Sequence, residues 1–139
     1  MKIFFKKLDE NAKIPSKNRV EDEGWDMYSL NEYILKPNTT TIIKTGIAGK
    51  TDSNHWLQIE SRSGLASKGI FTVGGVIDTN FRGECCVILA NITQQEFHVK
   101  QYDRIAQLVI RDRHPAEIVE VEQLDTTDRQ ESGFGSSGQ

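Results

Sequence analysis

The chain is dominated by short apolar runs, rich in β-branched residues, that recur with turn residues between them. Runs of this length and spacing are typical of β-sandwiches and β-barrels. The stretch 85–92 is apolar except for Asn91, which is typical of a central strand buried on both faces. Only 64–68 favours a helix, of one or two turns, so the sequence predicts an all-β fold. The predicted strands are residues 3–8, 33–35, 39–43, 56–60, 70–73, 85–92, 105–110 and 117–124.

Length and charge narrow the class of protein further. A chain of 139 residues is expected to form one domain. Its formal net charge of −3 argues against coating nucleic acid or anionic membrane, because that affinity depends on many lysines and arginines. No apolar run approaches the ~20 residues of a membrane span, and residues 1–10 lack the ~7–15-residue apolar core of a signal peptide. We therefore expect a soluble, intracellular protein of the cytoplasm or nucleus, with neither nucleic acid nor membrane as a partner.

The two cysteines, Cys85 and Cys86, are neighbours within an apolar run. Adjacent cysteines rarely form a disulfide, because the small ring strains the geometry of the bond. Two buried free thiols in a reducing compartment are therefore expected. The three histidines show no metal-ligand spacing with these cysteines, so the sequence predicts no zinc site.

Two short polar stretches lie in the first half of the chain. In the segment 61–66, Arg62 offers forked donors to an oxyanion, and Gly64 lets backbone amides approach that oxyanion at the start of a short helix. The same residues also fit a helix cap beside a surface arginine. The segment 22–26 ends at Asp26 and by itself fits a solvated acidic turn.

The segment 74–84 lies between two apolar runs and is expected to form a hairpin that carries Asp78. A carboxylate at the mouth of such a hairpin can orient and deprotonate a water, acting as a general base. Asp78 equally fits the residue that starts a turn, because an aspartate side chain can bond the backbone that follows it.

A glutamine and a glycine-rich tail complete the set of polar features. Gln107 shares a predicted strand face with Ile105 and Val109, so its amide must find a partner or reach a ligand. The tail, residues 129–139, fits a disordered terminus by its composition. It also fits a lid that orders over a ligand, with Phe134 stacked on a flat ring and its arginine and serines on anionic oxygens.

Taken in order, these five stretches resemble the five motifs of the trimeric dUTP pyrophosphatase (dUTPase) family. The similar segments are Arg-Ser-Gly-Leu-Ala, Gly-Val-Ile-Asp with Arg-Gly-Glu, Arg-Ile-Ala-Gln-Leu and Gly-Phe-Gly-Ser-Ser-Gly. The resemblance extends from Asp22 to Gly138, which is nearly the whole chain. It implies an enzyme that cleaves dUTP to dUMP and pyrophosphate, an activity that limits uracil in DNA and supplies dUMP.

The resemblance also implies a role for each site residue. Asp78 is the implied catalytic residue, which activates the water that attacks the α-phosphorus. Mg²⁺ is the implied cofactor, held mainly by substrate phosphates and waters, and Asp26 would approach it through water at most. The implied substrate-binding residues are Arg62, Ser63, Gly64 and Gln107 at the phosphates, Val76, Ile77 and Cys86 through main chain at the uracil, Phe81 at the deoxyribose, and Arg129, Phe134, Gly135, Ser136 and Ser137 in the tail.

The same resemblance implies the architecture. Residues 1–128 would form a jelly-roll-like β-barrel with a short helix at most. Residues 129–139 would form a flexible glycine- and serine-rich arm that closes the active site. The implied assembly is a homotrimer with active sites between subunits, in which the tail of one subunit closes a site built by two others.

Four positions depart from the usual family pattern. Phe81 stands where tyrosine is usual, which removes a phenol hydrogen bond. Ser61 replaces a proline before the arginine and is expected to loosen that turn slightly. Tyr102 stands where glycine is common, and Trp25 is a larger aromatic residue than usual. None of these changes removes a group with an implied chemical role.

Two other functions are compatible with parts of this pattern. A dCTP deaminase relative on the same fold would carry a catalytic glutamate in the strand after the hairpin, whereas 85–92 contains no acid. The second is a binding or signalling protein that kept the fold, with or without nucleotide binding. The presence of Asp78, Arg62, Gln107 and Phe134 argues against a loss of catalysis. The sequence therefore predicts an active dUTPase.

Overall fold

The structure is a computed structural model and describes residues 1–135. Within these residues the chain forms eleven strands and one short helix, α1, so the predicted all-β class is confirmed. The helix, Ser63–Ala66, lies between the sixth and seventh strands. The strands are β1 Phe4–Lys7, β2 Trp25–Tyr28, β3 Tyr33–Leu35, β4 Thr39–Ile43, β5 Ile47–Lys50, β6 His55–Glu60, β7 Ile70–Val73, β8 Val76–Ile77, β9 Val87–Asn91, β10 Phe97–Val99 and β11 Arg104–Asp112.

The described strands pair in four antiparallel sheets rather than in one continuous closed ladder. The largest sheet has the order β2-β11-β6-β8, and a second has the order β4-β9-β7. Two further pairs, β1-β5 and β10-β3, complete the set. β7 pairs with β9, as the expected hairpin requires. β8 lies in the connection between them and pairs with β6, which belongs to the other sheet.

One apolar core joins the sheets. Met27 of β2, Val87 and Leu89 of β9 and Leu108 of β11 are each at most 1% exposed and belong to a single cluster. Burying side chains of this size stabilises the folded state by about 1.5–3 kcal/mol each. The core therefore holds the four sheets in one body.

Most strands lie within two residues of their predicted bounds, and β3, β4 and β7 have those bounds themselves. β9 is central in its sheet, as its apolar composition predicts. The sequence did not reveal β2, β5, β8 and β10. Runs of two to four residues are recognised only where composition or a neighbouring turn signal marks them, as Pro37 does for β3. These four segments are strands because their backbones pair with neighbouring strands.

The prediction of a strand at 117–124 is wrong for the single chain. This segment has no ladder partner, and Ile118 is 98% exposed. Val119 and Val121 alternate with glutamates as a strand requires, but an extended segment becomes a strand only beside a neighbour that satisfies its backbone hydrogen bonds. No other part of residues 1–135 offers that neighbour.

The two thiols have different surroundings. Both cysteines are free, as expected, but only Cys85 is buried, whereas Cys86 is half-buried. The difference arises because successive side chains at the start of a strand point to opposite faces.

No helix within residues 1–135 is long and apolar enough to cross a membrane.

Asn91, at the end of β9, is a polar residue in the core, with 1% of its surface exposed. Its Nδ2 donates hydrogen bonds to the carbonyls of Leu35 and Gln95 at 2.9 and 2.8 Å. Its Oδ1 accepts from the backbone N–H and the hydroxyl of Thr93 at 2.9 and 2.7 Å. The one polar break in the predicted central strand therefore ties β9 to β3 and to the turn before β10.

We expect Asn91→Ala to lower the free energy of unfolding by about 2–4 kcal/mol, because it leaves buried carbonyls without donors. Urea denaturation measures the change. Gln94→Ala, at an exposed position of the same turn, is the matched control and is expected to change stability by less than about 0.5 kcal/mol. Equal effects of the two substitutions would contradict this role for Asn91.

Candidate functional site

The implied phosphate residues meet because β11 pairs with β2 on one side and with β6 on the other. The register places Gln107 of β11 opposite Asp26 of β2 and opposite Glu60 of β6. Two residues beyond the end of β6, Arg62 leads into α1, which carries Ser63. Residues separated by more than 80 positions in sequence thus surround one surface depression.

We call this depression the polar cleft. Its volume is about 370 Å³. It brings together the implied phosphate residues, Arg62, Ser63, Gly64 and Gln107, with Asp26. The other residues of its lining had no assigned role, and three of them are charged: Asp22, Glu23 and Arg104.

Asp26 is held between two guanidinium groups. Its Oδ1 lies 3.2 Å from Nε of Arg62, and its Oδ2 lies 3.8 Å from Nη1 of Arg104. Nη1 of Arg62 also donates a hydrogen bond to the Arg104 carbonyl at 3.1 Å. Arg62 and Asp26 are partly buried, so their contacts fix the direction of the Arg62 guanidinium, whereas Arg104 is exposed and its contact is longer than a hydrogen bond.

Gln107 satisfies part of its hydrogen-bonding capacity within the fold. Its Nε2 donates to the carbonyl of Ser61 at 2.9 Å. Its Oε1 faces Gly24 so closely that a Cβ there would lie 2.1 Å away. The predicted need for a partner is confirmed, and Gly24 is required by this close approach.

Gly64 is different, because an added Cβ would meet no atom within 4 Å. Its backbone also lies outside the positive-φ region that favours glycine. The fold of the single chain therefore gives no steric reason for glycine at this position of the polar cleft.

The implied uracil residues line a second depression, which we call the apolar cavity. Val76, Ile77, Phe81 and Cys86 lie in its wall, and its volume is about 370 Å³. Gly75 has φ of +101°, and a Cβ there would lie 2.5 Å from the Ile59 carbonyl. The turn into β8 therefore needs glycine to bring its backbone against β6.

Both thiols near this cavity are held in their neutral form. Burial raises the pKa of Cys85, and a hydrogen bond with the Gly49 backbone opposes that rise. Burial, followed by the hydrogen bond with Glu84, raises the pKa of Cys86 to about 11. A thiol with this pKa is a hydrogen-bond donor near neutral pH rather than a nucleophile.

Asp78 lies in a third depression, which we call the Asp78 cleft. It follows β8 directly, is exposed, and shares a space of about 480 Å³ with Thr51, Ser53, Arg82 and Arg113. Arg82 is bound to its own turn, since its Nη1 donates to the Thr79 and Phe81 carbonyls at 2.9 and 2.8 Å. The single chain does not bring Asp78 into the polar cleft.

The turn before β6 supports the loop that carries Asp78. The hydroxyls of Thr79 and Thr51 both donate to the His55 carbonyl at 2.9 Å. The His55 ring bonds Asp52 at 2.7 Å, and this contact holds the pKa of that carboxyl below its usual range. The hydrogen bond from Thr79, the residue after Asp78, therefore attaches this loop to the start of β6.

The implied tail residues are not brought into any of these three depressions within the described chain. Arg129 is used locally, since its Nε donates to the Ser132 carbonyl at 2.7 Å. Phe134 is fully exposed, and Gly135 has φ of +80°. Ser136 and Ser137 lie outside the described residues.

Sequence reasoning missed Arg104 as a residue of the polar cleft. The fourth motif contains it, but the motif was interpreted through Gln107 alone. Three positions before Gln107, Arg104 is expected on the opposite face of a regular strand, so the alternation of side chains offered no signal for it. A bulge between Arg104 and Ala106 then decides which way the side chain faces.

Comparisons with a family model and with curated proteins all indicate the same family. A family model described as dUTPase matches residues 10–138. The deoxyuridine 5'-triphosphate nucleotidohydrolase of Nautilia profundicola is 43% identical, over 99% of this chain and 99% of that protein. The mitochondrial human protein of the same name is 40% identical, over 99% of this chain and 55% of that protein.

Solved structures show the same relationship. A mutant dUTPase of Staphylococcus bacteriophage 80alpha, bound to dUpNHpp, superposes with a TM-score of 0.89 at 26% identity, covering 99% of this chain and 98% of that one. A mutant dUTPase of phage phi11, described for its coordination of a structural Mg(II) ion, has a TM-score of 0.83 at 24% identity, covering 91% of this chain and all of that one. With its motifs in order, an all-β fold and these matches over nearly its whole length, the chain belongs to the dUTPase family.

Proposed function

We propose that this protein hydrolyses dUTP to dUMP and pyrophosphate. The observation that carries the proposal is the separation of two surfaces with the chemistry of the two ends of a nucleotide. The polar cleft offers guanidinium and amide donors that suit phosphates. The apolar cavity offers main chain and a phenyl ring that suit a flat base on a sugar.

In the polar cleft, Arg62, Ser63, Gly64 and Gln107 are the proposed phosphate contacts. Arg62 is already oriented by Asp26, which lowers the conformational entropy that binding must remove. Arg104 adds a second guanidinium that the sequence interpretation did not include. The absence of a steric reason for glycine at Gly64 supports close approach of a phosphate to its backbone.

In the apolar cavity, the main chain of Val76, Ile77 and Cys86 is proposed to distinguish uracil from other bases. Backbone donors and acceptors held in a rigid wall reject a base with the wrong hydrogen-bond pattern more strongly than apolar contact does. The Phe81 ring is proposed to pack on the deoxyribose, where a 2′-hydroxyl would clash.

Asp78 is the proposed general base. It takes a proton from a water whose oxygen attacks the α-phosphorus. The bond from that phosphorus to the bridging oxygen of the β-phosphate breaks, and pyrophosphate leaves with the bonding electron pair. The exposed Asp78 carboxylate supports this role, because no other group within residues 1–135 forms a hydrogen bond or an ion pair with it.

Mg²⁺ is the proposed cofactor, and the charges of the polar cleft fit a cation brought by the substrate. The cleft contains three carboxylates, Asp22, Glu23 and Asp26, against two guanidiniums. A triphosphate entering it therefore needs further positive charge, which Mg²⁺ supplies by neutralising the phosphate oxygens. Asp26 is engaged by Arg62 and Arg104, so an approach through water is the proposed limit of its contact.

A homotrimer with shared sites is the proposed assembly. Asp78 and the polar cleft lie apart on one chain, and a site that uses both requires a second copy. An apolar row of Ile42, Ile88 and Val73 crosses the β4-β9-β7 sheet beside the apolar cavity. Ile42 is exposed and the other two are half-buried, so this row suits an interface, as do the exposed side chains of 117–124.

Residues 1–128 are the proposed β-barrel domain, and 129–139 the proposed arm that closes the site. The fully exposed Phe134 ring supports this assignment, because a large apolar side chain with no packing partner suits transient stacking on a base.

The proposed reaction is tested by initial rates of pyrophosphate release from dUTP, dTTP, dCTP and UTP, each with Mg²⁺ and with EDTA. We expect turnover of dUTP in Mg²⁺ that exceeds the other substrates, and a large loss in EDTA. Absence of pyrophosphate release from dUTP with Mg²⁺ would contradict the proposal. Formation of dUTP or dUMP from dCTP would instead identify a deaminase.

Asp78→Asn is expected to lower kcat for dUTP by about 10²–10⁴-fold, because an amide cannot accept the proton of the attacking water. Calorimetric binding of dUpNHpp should remain close to that of the wild-type protein. Glu96→Gln, an exposed carboxylate outside the three depressions, is the control and should leave kcat unchanged. A kcat for Asp78→Asn within about threefold of wild type would exclude the proposed base.

Gly64→Ala separates ligand contact from folding. We expect KM for dUTP to rise about tenfold, because a methyl group would stand between the backbone and the phosphates. Stability should stay equal or increase, since alanine favours a helix by up to about 1 kcal/mol over glycine.

Ala66→Gly, at the end of the same helix, is the matched control and should lower stability with KM unchanged. An unchanged KM for Gly64→Ala would place the phosphates elsewhere.

A further inference from the structure

Glu84 uses both oxygens of its carboxylate in the wall of the apolar cavity. Its Oε1 accepts a hydrogen bond from the backbone N–H of Gly46 at 2.9 Å. Its Oε2 accepts one from the thiol of Cys86 at 3.2 Å. Glu84 therefore links the connection between β4 and β5 to the residue that precedes β9.

Two further hydrogen bonds join the same two segments, and a third closes the turn from Glu84 to Cys86. The Thr45 hydroxyl, on a residue that is 1% exposed, donates to the Cys85 carbonyl at 2.8 Å. The Cys85 N–H donates to the Ile47 carbonyl at 2.8 Å, and the Cys86 N–H donates to the Glu84 carbonyl at 3.0 Å. We call this set of contacts, between residues 45–47 and 84–86, the Glu84 buckle.

Gly46 is suited to its place in the buckle. Its φ of +72° directs the N–H toward Glu84, and a Cβ would lie 2.9 Å from that of Ala12. The donor is therefore held by local geometry that a side chain would strain. Because the Glu84 carboxylate bonds both this fixed N–H and the Cys86 thiol, it restricts the motion of Cys86.

We propose that Glu84 is a positioning residue for base recognition, because it sets the main chain at Cys86 through two hydrogen bonds. This inference rests on the proposed function, in which the main chain at Cys86 reads the base. Glu84 itself is not required to touch the substrate. Its effect is to hold one wall of the apolar cavity still, so that a base with a different hydrogen-bond pattern meets a backbone that does not adjust.

The chemistry of the pair explains why a carboxylate is needed. Only a neutral thiol donates a hydrogen bond, and the raised pKa of Cys86 keeps it neutral at physiological pH. A glutamine at position 84 keeps one carbonyl oxygen for Gly46. Its amide nitrogen carries no acceptor for the thiol, so the second bond is lost while size and shape are kept.

The test is steady-state kinetics of Glu84→Gln with dUTP and dTTP. We expect KM for dUTP to rise about tenfold with kcat within about twofold of wild type. The ratio of kcat/KM for dUTP to that for dTTP should fall by about tenfold, because a mobile wall tolerates the extra methyl group.

Substitutions at Cys86 identify the bond that matters. Cys86→Ser keeps a donor and should lose less than Cys86→Ala in both KM and the dUTP to dTTP ratio. Cys86→Ala should shift both in the direction of Glu84→Gln. The double variant Glu84→Gln with Cys86→Ala should be no worse than Glu84→Gln alone, because both changes remove the same bond.

Glu32→Gln, at an exposed carboxylate that lines none of the three depressions, is the charge-matched control and should change neither quantity. A purely structural role predicts a lower thermal midpoint with KM and the dUTP to dTTP ratio at wild-type values. That result for Glu84→Gln would overturn the inference, as would equal losses for Cys86→Ser and Cys86→Ala.

Calorimetric binding of dUMP separates this inference from the proposed function. A wild-type protein that binds dUMP without hydrolysing dUTP would contradict the proposed reaction, and Glu84→Gln would still be expected to weaken dUMP binding about tenfold. A wild-type protein that neither binds dUMP nor hydrolyses dUTP would overturn both.

Discussion

The pairing of β11 with β2 and β6 is the interaction on which the rest of the structure depends. Over its nine residues, β11 pairs with β2 between Arg104 and Leu108 and with β6 between Gln107 and Asp112. The two ladders overlap at Gln107 and Leu108, where neighbours on both edges satisfy the backbone groups. Its inward side chains, such as Leu108, join the core, while Gln107 on the other face meets Asp26. The same ladder thus supplies stability and assembles the polar cleft. A shift of register by one residue would reverse both faces at once.

Two of the departures from the family pattern share one structural explanation. Tyr102 adopts φ of +68°, a conformation that is costly for a residue with a side chain. Its hydroxyl donates to the Asn11 carbonyl at 2.8 Å, and the Lys13 ammonium lies 4.4 Å from the centre of its ring. Lys17 lies 3.9 Å from the ring centre of Trp25. The two unusual aromatic residues therefore hold one N-terminal segment through its lysines, and these contacts offset the strain.

The serine at position 61 also behaves differently from the expectation of a looser turn. Its Oγ accepts the backbone N–H of Thr72 at 2.9 Å and bonds the Thr72 hydroxyl at 3.0 Å. These bonds fasten the approach to Arg62 onto β7. A side chain that bonds a neighbouring strand here replaces the stiffness that a proline ring would provide.

The sequence by itself determined the all-β class, the bounds of β3, β4 and β7, the short helix, and the family, because these depend on local composition and on motifs contiguous in the chain. It also identified Arg62 and Gln107 without placing them together. Only the tertiary structure decided that β2 and β11 pair, that Arg104 joins Asp26, and that Glu84 bonds Gly46 and Cys86. The strand pairing, the contact of Arg104 with Asp26 and the bond of Glu84 to Gly46 each join residues far apart in sequence, which no local pattern records. Residues 117–124 show the reverse case, in which the local pattern predicts a strand but no neighbouring strand is present within residues 1–135 to accept its hydrogen bonds.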